Sequence, residues 1–340
     1  MVKRGATAVA VFFFFVSFAL QLSSEGDVEK KTLLFVFGDS YADTGNLPRE
    51  ASTSWKWPYG ITFPGKPSGR FSDGRVFTDF IAKFLGIKSP IPYKLMKNLN
   101  TNSTRYGINF AHGGTGVFKT MVDYPNMSTQ IDFLQQIIDR KVYSSQALNA
   151  SIALVSLAGN DYSTYLAKNG SLKDLPEFSK SVIGNLTKNI KRIRLLGIKK
   201  IVITGLHPLG CLPLNIATNA YRNCNTGENY FSESHNRLLK QNIETLNDEV
   251  STPVFAYLDI YDAFISSIET RQNNSDKLKP CCVGANGEGC GWIDNMGKKL
   301  FDVCKNRKNS LFWDSIHPSD AGWRAVYSWL KPSLASIFVS

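Results

Sequence analysis

The sequence lacks the patterns that mark several large classes of protein. Beyond its first 20 residues it has no apolar run long enough to cross a bilayer, so we expect no stable membrane insertion. It has no CxxC pair and no histidines at ligand spacing, which argues against a zinc site. It also lacks a GxGxxG motif and a Walker lysine pattern, so its glycines form no recognised phosphate-binding loop. No linker, internal repeat or low-complexity segment interrupts it, which favours a single domain.

The chain does contain enough apolar material for a packed core. Of its 340 residues, 43% are hydrophobic and 12% are aromatic. The formal net charge is +11 at pH 7. Because no nucleic-acid-binding motif accompanies this charge, we expect no nucleic-acid partner; a weak association with acidic cell-wall polysaccharide or anionic lipid is compatible with it.

The N-terminal segment has the order of features that is typical of a secretory signal peptide. Lys3 and Arg4 precede an apolar run over residues 8–20, and a polar stretch follows. The alternative is an uncleaved membrane anchor, although the apolar run is short for that role. We predict a signal peptide over residues 1–24, a single domain over residues 25–340 and secretion to the extracellular space.

Secretion changes the interpretation of the cysteines. They are six in number and lie in the C-terminal half, so we expect disulfide bonds formed in an oxidising compartment. The adjacent Cys281 and Cys282 cannot easily bond to each other, and the pairing stays open. Six N-x-S/T sequons predict a glycoprotein of the secretory route, at Asn102, Asn126, Asn149, Asn169, Asn185 and Asn273.

Near-continuous apolar runs of strand length alternate with segments of helical periodicity. This order predicts an α/β fold with a parallel sheet covered on both faces. The predicted strands are 33–37, 152–157, 200–204 and 254–258, and the predicted helices are 75–84, 129–140, 178–196, 229–247 and about 320–337. Ser128 or Thr129 is placed to cap the second helix.

In open parallel sheets the functional site lies at the carboxyl ends of the strands. That rule selects three segments, Gly38-Asp39-Ser40, residues 158–161 and residues 205–207. A sharp strand exit that presents a hydroxyl is one way to build a nucleophile, so Ser40 is the first residue to consider.

An activated serine needs a base, and the chain has only four histidines. His317 follows Asp314 by three residues, which lets the carboxylate reach one imidazole nitrogen while the other faces a nucleophile. His235 lies in a helical stretch and is most simply a surface or boundary residue. We expect His207 to be a turn histidine satisfied by the backbone, the alternative being a place on the rim at the strand ends. We expect His112 to serve packing or a loop, the alternative being a substrate contact.

An acyl-transfer site also needs donors for the developing oxyanion. The glycines of "HGGTG" can direct a backbone N–H toward such a charge, and Asn160 in "GND" can offer its side-chain N–H to the same place. The alternatives are a phosphate cradle for the glycines and an ordinary turn role for the asparagine.

Four stretches resemble, in order and approximate spacing, the four blocks of the SGNH hydrolases, the GDSL esterase/lipase family. They are "FVFGDSYADTGN", "INFAHGGTGVF", "SLAGNDY" and "LFWDSIHPSDAGW". "PGKPSGRFSDGRVFTDFIAKFLG" and "LHPLGCLP" resemble the plant secreted branch, and the similarity runs from about Leu33 to about Leu334. The resemblance implies a three-layer α/β/α sandwich of the flavodoxin-like type, around a mostly parallel central sheet.

The resemblance also implies the roles of the candidate residues. Ser40 would be the nucleophile, and Asp314 and His317 would complete the triad. The oxyanion hole would combine the backbone N–H groups of Ser40 and Gly114 with the side chain of Asn160. Such a scheme requires neither a metal nor an organic cofactor.

Two details qualify this assignment. Gly114 is chosen over Gly113 because it stands five residues after Asn109, as the family's spacing requires. Tyr41 replaces the leucine that the family's name expects, and His112 and His207 occupy places where small, apolar or proline residues are expected.

We therefore predict a secreted carboxylic-ester hydrolase that cleaves lipid or other acyl esters through an acyl-enzyme. Its partner would be a small-molecule ester or lipid substrate. The alternatives are an acyltransferase with the same triad, an acetyl-sugar esterase, and a non-enzymatic secreted binding protein.

Overall fold

The computed structural model of the chain describes residues 32–98, 101–271, 277–285 and 289–339. The predicted signal peptide and Asn273 lie outside these residues, as does the side chain of Asn102. The described residues belong to one compact unit.

Six parallel strands form the central sheet, which confirms the predicted sheet type. They are β1 (Leu34–Gly38), β2 (Ile91–Pro92), β3 (Ile108–Asn109), β4 (Ile152–Ser156), β5 (Lys200–Thr204) and β6 (Phe255–Leu258). Their order in space is β2-β3-β1-β4-β5-β6. β1 therefore lies inside the sheet, between β3 and β4.

Nine α-helices are found among the described residues. They are α1 (Phe77–Phe84), α2 (Met127–Asp139), α3 (Ser145–Asn149), α4 (Gly159–Ala167), α5 (Leu175–Leu195), α6 (Pro213–Ile216), α7 (Thr226–Asp248), α8 (Ile260–Glu269) and α9 (Asp320–Val339). Helices α2, α5 and α7 cover one face of the sheet, and α1, α8 and α9 cover the other. The three-layer α/β/α architecture is therefore confirmed.

The apolar run of β1 reflects its two buried faces. Phe35 and Phe37 point into the core under α2, α5 and α7, while Leu34 and Val36 point into the core under α1, α8 and α9. All four side chains are buried. Because successive side chains of a strand alternate between faces, a strand covered on both sides must be apolar at every position.

Helix α2 begins earlier than predicted. The side-chain oxygen of Asn126 accepts a hydrogen bond from the Thr129 N–H at 3.1 Å, so Asn126 is the N-cap and the expected capping role of Ser128 or Thr129 is wrong. Met127 is fully buried, so the helix's apolar face extends back to its first residue.

A disulfide-pinned excursion separates α8 from α9. It contains a two-stranded antiparallel sheet of β7 (Cys282–Gly284) and β8 (Phe301–Val303). The expectation of disulfide bonds is confirmed, and the pairs are Cys211–Cys224, Cys281–Cys304 and Cys282–Cys290. Within the described ranges, no helix has both the length and the apolar character needed to span a bilayer.

Candidate active site

The chain leaves β1 through a tight turn that begins at Gly38. A Cβ atom on Gly38 would lie 2.5 Å from the carbonyl oxygen of Ser156 in β4, so only glycine allows the two strands to approach here. The N–H groups of Ala42 and Asp43 donate back to the Asp39 carbonyl, at 3.1 and 2.9 Å. This turn holds Ser40 at the carboxyl edge of the sheet.

The structure brings Ser40, His317 and Asp314 into one hydrogen-bonded chain. His317 Nε2 lies 2.9 Å from Ser40 Oγ, and His317 Nδ1 lies 2.9 Å from each carboxylate oxygen of Asp314. Because Nδ1 faces the carboxylate, the tautomer that this geometry favours leaves Nε2 free to accept the serine proton.

Several donors converge on the Asp314 carboxylate. Oδ1 accepts the N–H groups of Ile316 and His317 at 2.9 and 2.7 Å, and Oδ2 accepts the Tyr59 hydroxyl at 2.7 Å. Burial alone would raise the pKa of Asp314, but His317 and these hydrogen bonds lower the pKa below its usual value. The carboxylate is therefore charged and oriented toward the imidazole.

The loop that carries Asp314 and His317 is closed at its base. The Trp313 N–H donates to the His317 carbonyl at 2.7 Å, and Phe312 and Pro318 form an antiparallel bridge. The hydrogen bonds that the Ile316 and His317 N–H groups donate to Asp314 Oδ1 complete the turn. This turn explains why a spacing of three residues brings the carboxylate to the His317 imidazole.

The glycines of "HGGTG" differ in what their N–H groups do. The Gly113 N–H donates to Asp43 Oδ2 at 3.1 Å. The N–H groups of Gly114 and Ser40, by contrast, have no hydrogen-bond acceptor among the residues that the structure describes. Gly114 has a φ of +79°, a conformation that favours glycine.

Asn160 stands in the first turn of α4 with its amide directed toward these loops. Its Nδ2 donates to the Thr115 carbonyl at 2.9 Å and lies 3.5 Å from Asp39 Oδ2. Since 3.5 Å is long for a hydrogen bond, one amide hydrogen is held firmly and the other is available to an incoming acceptor.

Three buried carboxylates accept backbone N–H groups of the loops around Ser40. Burial raises the pKa of Asp39 to about 7, and it raises the pKa of Asp43 and of Asp161 to about 6. Backbone N–H donors oppose the effect in each case. Asp161 accepts the N–H groups of Val117 and Phe118, at 2.9 and 2.8 Å.

Sequence reasoning missed Gln130, which holds the end of β1 from α2. Its Oε1 accepts the Gly38 N–H and its Nε2 donates to the Gly38 carbonyl, both at 2.9 Å. The signal was present in the sequence, since Gln130 precedes Leu134 by four residues and so falls on the apolar face of the predicted helix. Asp43 and Asp161 both lie within stretches that the sequence analysis selected, but no role was predicted for either carboxylate.

Two histidines differ from their predicted environments. His235 is buried rather than at the surface, and its Nδ1 lies 2.8 Å from the Tyr162 hydroxyl; burial lowers its pKa to about 3. His207 is not satisfied by the backbone, because within the described part of the chain its buried Nε2 has no hydrogen-bond partner. His112 does serve its loop, through a 2.7 Å contact between Nδ1 and the Phe110 carbonyl.

The unexpected Tyr41 fills the space behind the acid–histidine loop. Its hydroxyl donates to the Ile316 carbonyl at 2.8 Å, and its ring lies 4.6 Å from that of His207 and 5.1 Å from that of Trp323, centroid to centroid. Tyrosine thus adds a hydrogen bond to the His317 segment that a leucine side chain lacks.

A cavity of 360 Å³ opens beside Ser40 at the carboxyl ends of β1, β4 and β5. Most of its lining is apolar, and Leu166, Leu214 and Ile316 stand partly exposed among the lining residues. His207, Asn215 and Glu228 add polar groups. A volume of this size matches a small-molecule binding site. In the described residues, no group of three or more potential metal ligands is gathered.

The sequons lie on different parts of the surface. Asn149 and Asn169 are exposed, whereas Asn126 and Asn185 are partly buried. Asn185 donates its side-chain amide to the Ser181 carbonyl within α5, at 3.1 Å.

Known proteins resemble this chain over most of its length. Residues 34–330 match the family described as GDSL-like Lipase/Acylhydrolase. Two GDSL esterase/lipases of Arabidopsis thaliana are each 48% identical, over 318 and 315 residues; the alignments cover 91% and 90% of this chain and 89% of each relative. Acetylajmalan esterase 2 of Rauvolfia serpentina is 30% identical over 88% of this chain and 90% of its own length. The matched stretch includes every residue that meets around Ser40.

Proposed function

Because the chain belongs to the GDSL-like lipase/acylhydrolase family and is a carboxylic-ester hydrolase, we propose that Ser40, His317 and Asp314 are its catalytic triad. The 2.9 Å contact between Ser40 Oγ and His317 Nε2 carries this proposal. His317 takes the serine proton as Oγ attacks the ester carbonyl, and then gives that proton to the departing alcohol. Water then attacks the acyl-enzyme while His317 takes its proton. His317 returns that proton to Ser40 Oγ as the carboxylic acid leaves.

The oxyanion hole of this scheme consists of the Ser40 and Gly114 N–H groups and the Asn160 amide. The free N–H of Gly114 supports this choice, since that of Gly113 is already bound to Asp43. Donors fixed before the reaction stabilise the negative charge of the tetrahedral intermediate without reorganising.

The apolar cavity beside Ser40 supports lipid or other acyl esters as substrates, with the acyl chain in the cavity. The relative named acetylajmalan esterase 2 supports a second candidate, in which the acyl group is acetyl and the cavity receives the alcohol. Hydrolysis rates across aryl esters of increasing acyl length distinguish the two, because only the first gains kcat/KM as the chain grows.

We further propose that the mature protein is a secreted glycoprotein, a single domain over residues 25–340 after a signal peptide over residues 1–24. The three disulfides support an oxidising compartment. The formal net charge, +11 for the whole chain and +9 once Lys3 and Arg4 leave with the signal peptide, supports a weak association with acidic cell-wall polysaccharide. The N-terminal residue of the secreted protein tests the cleavage site.

The triad is tested by labelling with a fluorophosphonate probe and by turnover of a simple aryl ester. Wild-type protein should be labelled, Ser40→Ala should not, and Ser40→Ala or His317→Ala should lower turnover by roughly three orders of magnitude or more. Ser163→Ala is the matched control, since Ser163 also lines the cavity. Near-normal turnover by folded Ser40→Ala would show that Ser40 is not the nucleophile.

A further inference from the structure

A hairpin in the disulfide-pinned excursion presents large apolar side chains to solvent. Ile293 and Lys299 form its antiparallel bridge, and the exposed fractions of Trp292, Ile293 and Met296 are 45%, 57% and 89%. Trp57, 45% exposed, comes from a different part of the chain. Apolar side chains gathered in this way on a surface mark an interaction site more often than scattered ones do. We call Trp57, Trp292, Ile293 and Met296 the apolar tip.

Contacts join the two parts of the apolar tip. Gly291, at the base of the hairpin, has a φ of +87°, and a Cβ atom there would lie 3.3 Å from the Trp57 carbonyl oxygen. Lys56 Nζ lies 5.1 Å from the centre of a Trp292 ring. The two tryptophans therefore belong to one surface.

The hairpin is held in shape before anything binds to it. Cys290, directly before Gly291, is bonded to Cys282, and the Asp294 carboxylate accepts the N–H groups of Met296 and Lys298, each at 2.9 Å. A surface ordered in this way loses little conformational entropy on binding.

The same excursion is hydrogen-bonded to the segment that carries Asp314 and His317. The N–H groups of Cys281 and Cys282 donate to the carbonyls of Phe312 and Trp313, and Tyr59, two residues after Trp57, donates to Asp314. The apolar tip is therefore attached to the Asp314–His317 side of the active site.

The charges next to the apolar tip are mainly positive. Lys56, Lys298 and Lys299 are exposed, while the Asp294 carboxylate accepts backbone N–H groups within the hairpin. Within the described residues 289–299 of the hairpin there are two lysines and one acidic residue, Asp294.

We propose that the apolar tip docks on an anionic lipid surface and brings the active site against it. Met296 and Ile293 gain free energy where they enter an apolar phase, and indole rings favour the boundary between headgroups and acyl chains. Lysines at the edge of such a contact attract anionic headgroups. Aliphatic side chains at the apex of a hairpin have no comparable partner on a polysaccharide.

The proposal is tested by flotation of the purified protein with two kinds of vesicle, phosphatidylcholine alone and phosphatidylcholine mixed with phosphatidylserine. Wild-type protein should bind the mixed vesicles, and Met296→Asp should weaken that binding by roughly tenfold or more because a methionine that enters the apolar phase of the membrane is exchanged for a charge. Lys298→Glu with Lys299→Glu should abolish the preference for phosphatidylserine.

Leu195→Asp is the matched control, because Leu195 is 82% exposed at the end of α5. It lies just before β5 begins, at the amino ends of the strands, whereas Ser40 lies at their carboxyl ends. This variant should bind as wild type does. Unchanged turnover of a soluble aryl ester verifies that each variant is folded. The proposal is overturned if wild-type protein does not bind the mixed vesicles, or if Met296→Asp binds them as tightly as wild type.

Discussion

At the scale of single residues, the polar groups around Ser40 are divided between those already bonded and those left for a substrate. Gly113 is committed to Asp43, and one hydrogen of Asn160 is committed to Thr115. Among the residues that the structure describes, the N–H groups of Ser40 and Gly114 have no acceptor within hydrogen-bond distance, and the second amide hydrogen of Asn160 has no acceptor closer than 3.5 Å to Nδ2. Ser40 is buried and Gly114 and Asn160 are partly buried, and donors that are shielded from water and lack a partner cost free energy. In the proposed mechanism this cost is recovered when the oxyanion forms.

Removing one of these donors should affect the chemical step more than substrate binding. We predict that Asn160→Ala lowers kcat by roughly 100- to 1,000-fold with a much smaller change in KM, as measured by steady-state kinetics on an aryl ester. Asn215→Ala, which alters another asparagine of the cavity lining, should retain most of kcat. A kcat within a few-fold of wild type for Asn160→Ala would remove this residue from the oxyanion hole.

Asp39 predicts a pH dependence of stability. Burial raises its pKa from 3.8 to about 7, so the folded protein binds this proton more tightly than the unfolded chain does. Its contribution to the free energy of unfolding therefore falls as the pH rises from about 4 to about 7.

Asp39→Asn removes this titration. The Tm of Asp39→Asn relative to wild type should therefore be higher at pH 8 than at pH 5, as measured by thermal unfolding at both values. Asp123→Asn, at a carboxylate with 92% side-chain exposure, should show no such trend. An equal Tm difference at both pH values contradicts the burial effect.

At the scale of elements, the site depends on how α2 meets the end of β1. Gln130 is completely buried, and it replaces a neighbouring strand as the hydrogen-bonding partner of Gly38. The Gly38 carbonyl also accepts the His112 N–H at 3.0 Å, so the Gly38 N–H is the group that depends on Gln130. Ser40 is only two residues further along the chain.

Gln130→Leu should therefore weaken both folding and catalysis. We expect the free energy of unfolding to fall by about 1–3 kcal/mol because a buried N–H loses its acceptor, and kcat to fall because the turn at Ser40 shifts. Urea unfolding and steady-state kinetics measure the two effects. Gln136→Leu, at an exposed position of the same helix, should change neither.

At the scale of the whole molecule, the excursion between α8 and α9 connects two of the three disulfides to the proposed catalytic residues Asp314 and His317. The backbone of Cys281 and Cys282 is bonded to the segment that leads into Asp314, and the Cys281–Cys304 bond closes a loop of 23 residues. The Cys211–Cys224 bond lies on the other side, beside residues that line the cavity.

The two disulfides should therefore have different kinetic effects. Cys281→Ser with Cys304→Ser should lower the free energy of unfolding by about 3 kcal/mol and lower kcat. Cys211→Ser with Cys224→Ser should destabilise the fold comparably but act mainly on KM. Denaturant unfolding and kinetics check both. If the first pair of substitutions leaves kcat unchanged, the excursion does not hold Asp314 and His317 in position.

The sequence alone was enough to predict a parallel sheet, the strands β1, β4, β5 and β6, five of the nine described helices and the proximity of Ser40, Asp314 and His317. The two-residue strands β2 and β3 were not predicted, because runs so short carry no periodicity. Apolar runs and helical periodicity are local properties, and the spacing of Asp314 and His317 is a local turn. The disulfide pairs, the hydrogen bond from the Gly113 N–H to Asp43 and the environments of His207 and His235 became known only from the tertiary structure. Those outcomes depend on contacts between distant parts of the chain, such as Gly38 with Gln130, 92 residues apart, and Tyr59 with Asp314, 255 residues apart. Local patterns carry no information about such contacts, because burial and hydrogen bonding arise when separate elements pack together.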